Sequence, residues 1–164
     1  MNIYDHVFTS AQVAKAADMT SANFRAQFTR KNWRIIGRER PGNGEAHLFT
    51  IYDALSYALA RRLMEYGFAP STAFDLAVKD FAHTGCSERD PGSVFDVRKY
   101  GRTFFVASLD SEQGRCVAQK GINDAIELFI LPMANRSPDV VLIDLNDLRD
   151  RVFHALNLDA RDYE

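Results

Sequence analysis

The sequence predicts an α+β fold built from two modules. In the first half, apolar residues recur at helical spacing, whereas in the second half short strand-like runs alternate with helical patterns. A polar segment containing Gly and Pro separates the two patterns. We therefore predict an N-terminal domain over residues 1–84, a linker over 85–92 and a small C-terminal α+β module over 93–164 that serves oligomerisation or effector binding.

Two short helices open the N-terminal domain. Thr9 or Ser10 is placed to cap the first, whose inward residues follow at helical spacing: Val13, Ala14 and Ala17. A three-residue turn leads to a second helix over Thr20–Lys31, which Thr20 or Ser21 can cap. Phe24 and Phe28 lie one turn apart on its inner face. We expect this helix to end near Lys31-Asn32, because Asn tolerates the left-handed conformation at a helix end.

A β-hairpin and two longer helices complete this domain. The extended run Trp33–Ile36, a reverse turn at Asn43-Gly44 and a returning strand at Ala46–Phe49 predict the hairpin. Trp33 is expected in the core beneath it. Thr50 then caps a helix that stops at Gly67, and a fourth helix starts at Pro70 and fades near Gly85.

The C-terminal module is predicted from strand runs and two helices. Val94–Tyr100 and Thr103–Leu109 form an expected hairpin about Gly101-Arg102, with a third strand at Arg115–Gln119. The remaining elements are a helix from Ile122 to Met133, a strand over Val140–Leu145 and a last helix capped by Asn146.

Composition limits the functional classes. The chain has 164 residues, and the two cysteines, Cys86 and Cys116, carry no zinc or disulfide signature. No apolar run is long enough to span a membrane, and the N-terminus does not resemble a signal peptide. No pattern indicates a nucleophile with its base or a metal pair. We expect a cytoplasmic, nucleoid-associated protein that is not an enzyme and needs no cofactor.

Charge is unevenly distributed along the chain. The net charge is −2, but residues 1–62 hold nine Lys/Arg against five Asp/Glu, a balance of +4. Six basic residues fall within Phe24–Arg40, against Glu39 alone. A local basic patch on an acidic chain is typical of a compact DNA-contacting element, although a solvated face would leave the same pattern. If DNA is bound, these arginines should lie on one face.

The order of elements in the first half is that of a winged helix-turn-helix. Four segments resemble, in order, the DNA-binding domain of the MerR family: Ser10–Ala17; Ser21–Arg25; Asn43-Gly44 with Leu48–Thr50 and Asp53; and Leu63–Phe68. The resemblance covers roughly residues 8–80. It departs from the family where Ala26 and Gln27 replace aromatic residues, and where His47 stands at the wing's arginine position. The family's long dimerisation helix and sensor cysteines are not evident after residue 85.

The resemblance implies DNA contact by the second helix and the wing. Ser21, Asn23 and Gln27 are suited to base edges, and Arg25 to a base or a phosphate. The expected phosphate and wing contacts are Arg30, Lys31, Arg34, Arg38, Arg40 and His47. For each residue an ordinary structural role is the alternative: helix capping, helix surface or charge at a helix end.

Three functions are compatible with these residues. The first is a sequence-specific transcriptional regulator that binds double-stranded DNA as a homodimer, with any small-molecule effector unknown. The second is a DNA-binding architectural, excision or packaging accessory factor that uses the same module. The third is a winged helix that serves as a protein-interaction adaptor, which the overall acidic balance favours.

Overall fold

The chain adopts an α+β fold in the part that a computed structural model describes, residues 6–36, 47–109, 113–130 and 139–159. The predicted fold class is confirmed at that level. The elements follow in this order: β1 (Phe8–Thr9), α1 (Ser10–Ala16), α2 (Ser21–Thr29), β2 (Leu48–Phe49), α3 (Ile51–Glu65), α4 (Pro70–Leu76), α5 (Val97–Tyr100), β3 (Thr103–Ser108), β4 (Gly114–Ala118), α6 (Ile122–Ile130), β5 (Val140–Asp144) and α7 (Leu145–Ala155).

The N-terminal helices begin at the predicted caps. Thr9 and Gln12 form a reciprocal capping box at the start of α1, and the Thr20 hydroxyl accepts the backbone N–H of Asn23 at the start of α2. Asp18 takes a left-handed φ of 53° in the intervening turn. At the end of α2, Lys31 rather than Asn32 occupies the left-handed position, with φ 58°.

The predictions for α3 and α4 are confirmed at their starts. Thr50 caps α3 together with Asp53, and the helix ends before Gly67, which has φ 99°. Pro70 occupies the first turn of α4. This helix continues as a π-helical segment over Ala77–Ala82.

The predicted pairing of the N-terminal hairpin is wrong within the described residues. Leu48–Phe49 is a strand, but it pairs antiparallel with Phe8–Thr9, with Phe8 opposite Phe49. Trp33–Ile36 is not a strand. The tip of the predicted wing, residues 37–46, lies outside the described residues.

The second sheet has the order β4-β3-β5 and is antiparallel throughout. The strands predicted at Thr103–Leu109, Arg115–Gln119 and Val140–Leu145 are confirmed with shifted ends. The hairpin partner of β3 is β4, not Val94–Tyr100. That segment instead ends in the short helix α5, because Asp96 accepts the backbone N–H of Arg98.

The cap of α7 also differs from its prediction. Asp144 accepts the backbone N–H groups of Asn146 and Asp147 at the start of this helix. Asn146 is the buried second residue of α7, and its Oδ1 accepts the backbone N–H of Thr103 at 2.6 Å. Asn146 therefore fastens α7 to the beginning of β3 instead of capping the helix.

One hydrophobic core runs through both halves of the chain. It joins Val13 and Leu59 to Phe105, Ile143 and Val152, and α7 packs against both α1 and α3. A smaller cluster on the other side of the second sheet places Val106 and Val117 under Ala125 of α6. The boundary between the two modules stays a prediction, and the core crosses it.

The predicted linker is an ordered loop around a buried arginine. Arg89 is 5% exposed and donates to the backbone carbonyls of Thr84, Asp90 and Ser93. Cys86 and Arg89 exchange backbone hydrogen bonds across a tight turn. Composition indicated a polar connection, but the arginine fixes its conformation.

Candidate nucleic-acid interface

Helix α2 is held by an aromatic cluster on its inner face. Phe24 contacts Phe49 and Tyr57 edge to face, with ring centroids 5.8 and 5.3 Å apart. Trp33 stacks on Tyr57 at 5.4 Å, and its indole N–H donates to the carbonyl of Pro70. These contacts confirm the predicted core position of Trp33. They leave the opposite face of α2 outside the core.

The outward face of α2 carries three of the predicted base-contacting residues. Ser21, Asn23 and Arg25 are all exposed. At about 100° per residue, Ser21 and Arg25 lie along one edge of this face, and Asn23 and Arg30 lie along the other. The centre of the face holds small residues: Ala22, Ala26 and Thr29.

The side chain of Arg25 turns back along the helix. Its Nε donates to the carbonyl of Ser21 at 3.3 Å, which directs the guanidinium towards the N-terminal end of α2. Ser21 and Arg25 thus occupy the same end of the exposed face. This is the end that helix-turn-helix proteins use for base contacts.

Gln27 does not belong to this face, and its assignment as a base-contacting residue needs correction. Only 7% of Gln27 is exposed. Its Oε1 accepts the side-chain amide of Asn32 at 3.0 Å, and its carbonyl accepts the backbone N–H groups of Asn32 and Trp33. Gln27 therefore stabilises the end of α2. Its polarity suggested exposure, but its partner Asn32 allows burial.

The C-terminal end of α2 provides two exposed cations. Arg30 is the C-cap residue directly after α2, and Lys31 follows in the left-handed conformation. In the part of the chain that the structure describes, neither residue forms an ion pair. Both side chains are available to a solvent anion, while their charge also suits a helix C-terminus.

Arg34 lies apart from this set. Its guanidinium pairs with Asp75 at 3.1 Å and lies over the ring of Phe74, at 5.3 Å from the centroid. The expectation that the arginines share one face is therefore met only by Arg25 and Arg30 among the described residues. Arg38 and Arg40 lie outside the described residues.

Asp53 fixes both sides of the predicted wing. Its Oδ1 accepts the backbone N–H of Ile36 at 2.9 Å, and its Oδ2 accepts the backbone N–H and the hydroxyl of Thr50. The exposed His47 immediately precedes β2. In the sequence, Asp53 stands out only as part of the segment that resembles the wing and the next helix of the MerR family. Its contact with Ile36 has no local signal because the two residues are 17 positions apart.

The electrostatics of this region favour an anionic partner. No Asp or Glu occurs between Ser21 and Ile36. Beneath α2, burial raises the pKa of Tyr57, and the Asp53 carboxylate raises it further, so its hydroxyl stays protonated and donates to the carbonyl of Arg34. Among the described residues, no three of His, Cys, Asp and Glu converge in a way that could hold a metal ion. The arrangement can bind a polyanion through Arg25, Arg30 and Lys31.

Comparison with known proteins assigns this chain to no family. No protein-family model matches the chain, and no curated protein is similar to it. Within the described residues, no helix is both long and apolar enough to cross a membrane.

Proposed function

We propose that this protein is a sequence-specific, DNA-binding transcriptional regulator that acts as a homodimer and presents α2 to the major groove. The observation that carries the proposal is the position of Ser21, Asn23 and Arg25 on an exposed helix whose other face is fixed in the aromatic core. A rigid, outward-facing helix is the element that reads base edges in helix-turn-helix proteins. We also propose that the N-terminal half is a winged helix-turn-helix related to the MerR family.

The shape of the exposed face supports groove binding. A major groove about 12 Å wide admits one helix with little room to spare. Ala22 and Ala26 have short side chains at the centre of the face, so the helix backbone can approach the bases closely. Asn23 at one edge is suited to adenine, and Arg25 at the other to guanine or a phosphate.

Affinity and sequence preference come from different residues in this proposal. Arg30 and Lys31 at the helix end contact phosphates, which increases affinity without selecting sequence. Because Gln27 is buried, one copy of the chain has few side chains left for base contacts. A homodimer that binds two half-sites supplies the missing specificity, and we expect it to act at the nucleoid in the cytoplasm.

Selection of bound DNA from a random pool tests the proposal, followed by titration of the selected site at several salt concentrations. We expect a palindromic site and an affinity that falls steeply with salt. Arg25→Ala should weaken binding and relax the preference at one base position, a loss of about 1–3 kcal/mol. Arg30→Ala should weaken binding to all sequences and reduce the salt slope by about 1.

Arg98→Ala is the matched control, because it removes an exposed arginine from α5 in the other half of the chain. Its affinity for DNA should equal that of the wild type. The proposal fails if the wild type shows no salt-dependent DNA binding, or if Arg25→Ala and Arg98→Ala behave alike. DNA binding without sequence selection would favour the architectural or packaging function, and no binding at low salt would favour the adaptor.

A further inference from the structure

A pocket of about 160 Å³ lies where the end of the α4 π-segment meets β4. The loop over residues 85–92 forms one side of it, and the first residues of β4 form another. Its lining residues are Asp80, Thr84, Gly85, Cys86, Arg89, Phe95, Gly114, Arg115 and Cys116. The volume is close to that of a cavity known to accept benzene, roughly 150 Å³.

Arg89 is the chemically unusual member of this pocket. Its charge is almost fully buried, yet no carboxylate in the described residues lies within ion-pair distance of it. Backbone carbonyls of Asp90 and Ser93 accept from Nη1, and that of Thr84 accepts from Nη2. A buried charge without a counter-ion is costly, so an anion at this position would be stabilised.

The donors that remain on Arg89 fit a carboxylate. A guanidinium has five N–H donors, and the described residues accept three of those of Arg89. Nε–H and one Nη2–H are left over. A carboxylate has two acceptor oxygens and can accept an N–H group of a guanidinium on each of them.

The rest of the pocket limits the charge and shape of the ligand. Arg115 adds a second, exposed guanidinium, and Asp80 is the only carboxylate among the lining residues. Asp80 accepts the backbone N–H of Gly114 at 2.8 Å and so has a partner already. The balance of +1 suits a monoanion. The ring of Phe95, 5.9 Å from the Arg89 guanidinium, gives the pocket an aromatic side.

We propose that this pocket binds a small organic monocarboxylate, with its carboxylate on Arg89 and Arg115 and its apolar part against Phe95. The site joins an element of the N-terminal half to the second sheet. Binding there would stabilise the contact between β4 and the end of α4. This proposal does not depend on DNA binding, since none of its residues belongs to the exposed face of α2.

Thermal unfolding of the full chain with sodium benzoate tests the proposal. We expect the Tm to rise with benzoate concentration, relative to sodium chloride at equal ionic strength. Arg115→Gln should weaken this effect, and because Arg115 is exposed the variant should fold. Arg98→Gln, an exposed arginine outside the pocket, should leave it unchanged. Inorganic phosphate in place of benzoate should raise the Tm less.

Alkylation of Cys86 gives a second readout that needs no variant. Cys86 is exposed and lines the pocket, whereas burial raises the pKa of Cys116 to about 12 and keeps that thiol protonated. Iodoacetamide should therefore modify Cys86 first. At a benzoate concentration ten times its Kd, the rate should fall about tenfold.

Four results would overturn the proposal: no Tm rise with benzoate beyond that with chloride, an equal rise in Arg115→Gln, a larger rise with phosphate than with benzoate, or an unchanged alkylation rate at saturating benzoate. Loss of DNA binding in Arg25→Ala has no bearing on these results. Conversely, a wild type that binds benzoate but no DNA would refute only the proposed function. The two proposals can therefore fail separately.

Discussion

The carboxylate of Asp53 accepts the backbone N–H of Ile36 at 2.9 Å, although 17 positions separate the two residues. The other oxygen of the same carboxylate accepts the backbone N–H of Thr50 at 2.8 Å. One fully buried side chain therefore fixes where the chain enters and leaves the segment that was predicted to form the wing. Buried acceptors of this kind are costly to lose because their donors are left without a partner.

Asp53→Asn should destabilise the protein by about 2–3 kcal/mol. The amide has one acceptor oxygen instead of two, so at least one buried N–H loses its partner. Urea unfolding measures the loss. Asp75→Asn is the control, because it removes an exposed carboxylate and should cost less than about 1 kcal/mol. Equal losses in the two variants would show that Asp53 has no special structural role.

Gln27→Ala and Asn23→Ala should have opposite effects. Gln27→Ala leaves the Asn32 amide without its partner and should lower stability by about 1–2 kcal/mol, with the preferred DNA sequence unchanged. Asn23→Ala removes only an exposed side chain, so stability should hold while the preference at one base position weakens. Thermal unfolding and repeated DNA selection compare the two. If Gln27→Ala instead changes the DNA sequence that is selected, Gln27 contacts DNA.

Lys31→Gly should separate stability from affinity. Lys31 has a φ of 58°, which strains a residue with a Cβ but not glycine. We therefore expect the variant to be more stable by about 0.5–1 kcal/mol and to bind DNA more weakly at every sequence. Lys31→Ala, which keeps the strain, is the matched comparison. If both variants bind DNA like the wild type, Lys31 makes no phosphate contact.

The lowered pKa of Asp144 predicts that the stability of the fold depends on pH. Burial opposes its ionisation, but hydrogen bonds from Arg102 and from the backbone at Asp147 and Asn146 outweigh burial, so its pKa lies below the usual value. A carboxyl with a lowered pKa stabilises the fold above its ordinary pKa, about 3.9, and loses this contribution as pH falls through the folded value.

Asp144→Asn tests this dependence because the remaining oxygen of asparagine can still cap the helix, whereas the charge and the oxygen that accepts from Arg102 are both lost. At pH 7 the variant should be less stable by up to about 1 kcal/mol, and the difference should shrink as pH falls below 4. Arg102→Gln should show the same loss, and the double variant should lose no more than either single one. A difference that persists at pH 2.5 would contradict this account.

Unfolding should be a single transition. Trp33 is the only tryptophan, so its fluorescence reports on the N-terminal half, whereas far-UV circular dichroism reports on both halves. Because one core contains residues from each half, the two signals should change at the same urea concentration. Two separate midpoints would instead support independent domains divided at residues 85–92.

Local signals in the sequence were sufficient to predict most helices. Thr9, Thr20 and Thr50 cap α1, α2 and α3 because their hydroxyls accept nearby backbone N–H groups, a contact encoded within four residues. The prediction of a strand at Val94–Tyr100 was wrong, and this error also has a local cause. Its apolar and aromatic residues suit a strand, but the Asp96 cap and the contact between Phe95 and Tyr100 favour a helical turn.

Non-local contacts account for what could not be predicted. β2 pairs with Phe8–Thr9, which is distant in sequence, and no turn motif in the sequence indicates this pairing. Burial of Gln27 depends on the folded position of Asn32, and the pocket depends on residues from both halves. Of the candidate interface, the exposed positions of Ser21, Asn23, Arg25, Arg30 and Lys31 agree with the helical pattern, whereas the pairing of Arg34 with Asp75 does not follow from it.

The continuous core also limits how such a chain can change by recombination. A fragment that ended near residue 84 would lose Phe105, Ile143 and Val152, and would expose the apolar surfaces of α1 and α3 that α7 covers. The N-terminal half is therefore unsuited to transfer onto an unrelated partner domain. We expect related chains to inherit both halves together, and to acquire a new ligand through substitutions such as those at Arg115 or Phe95.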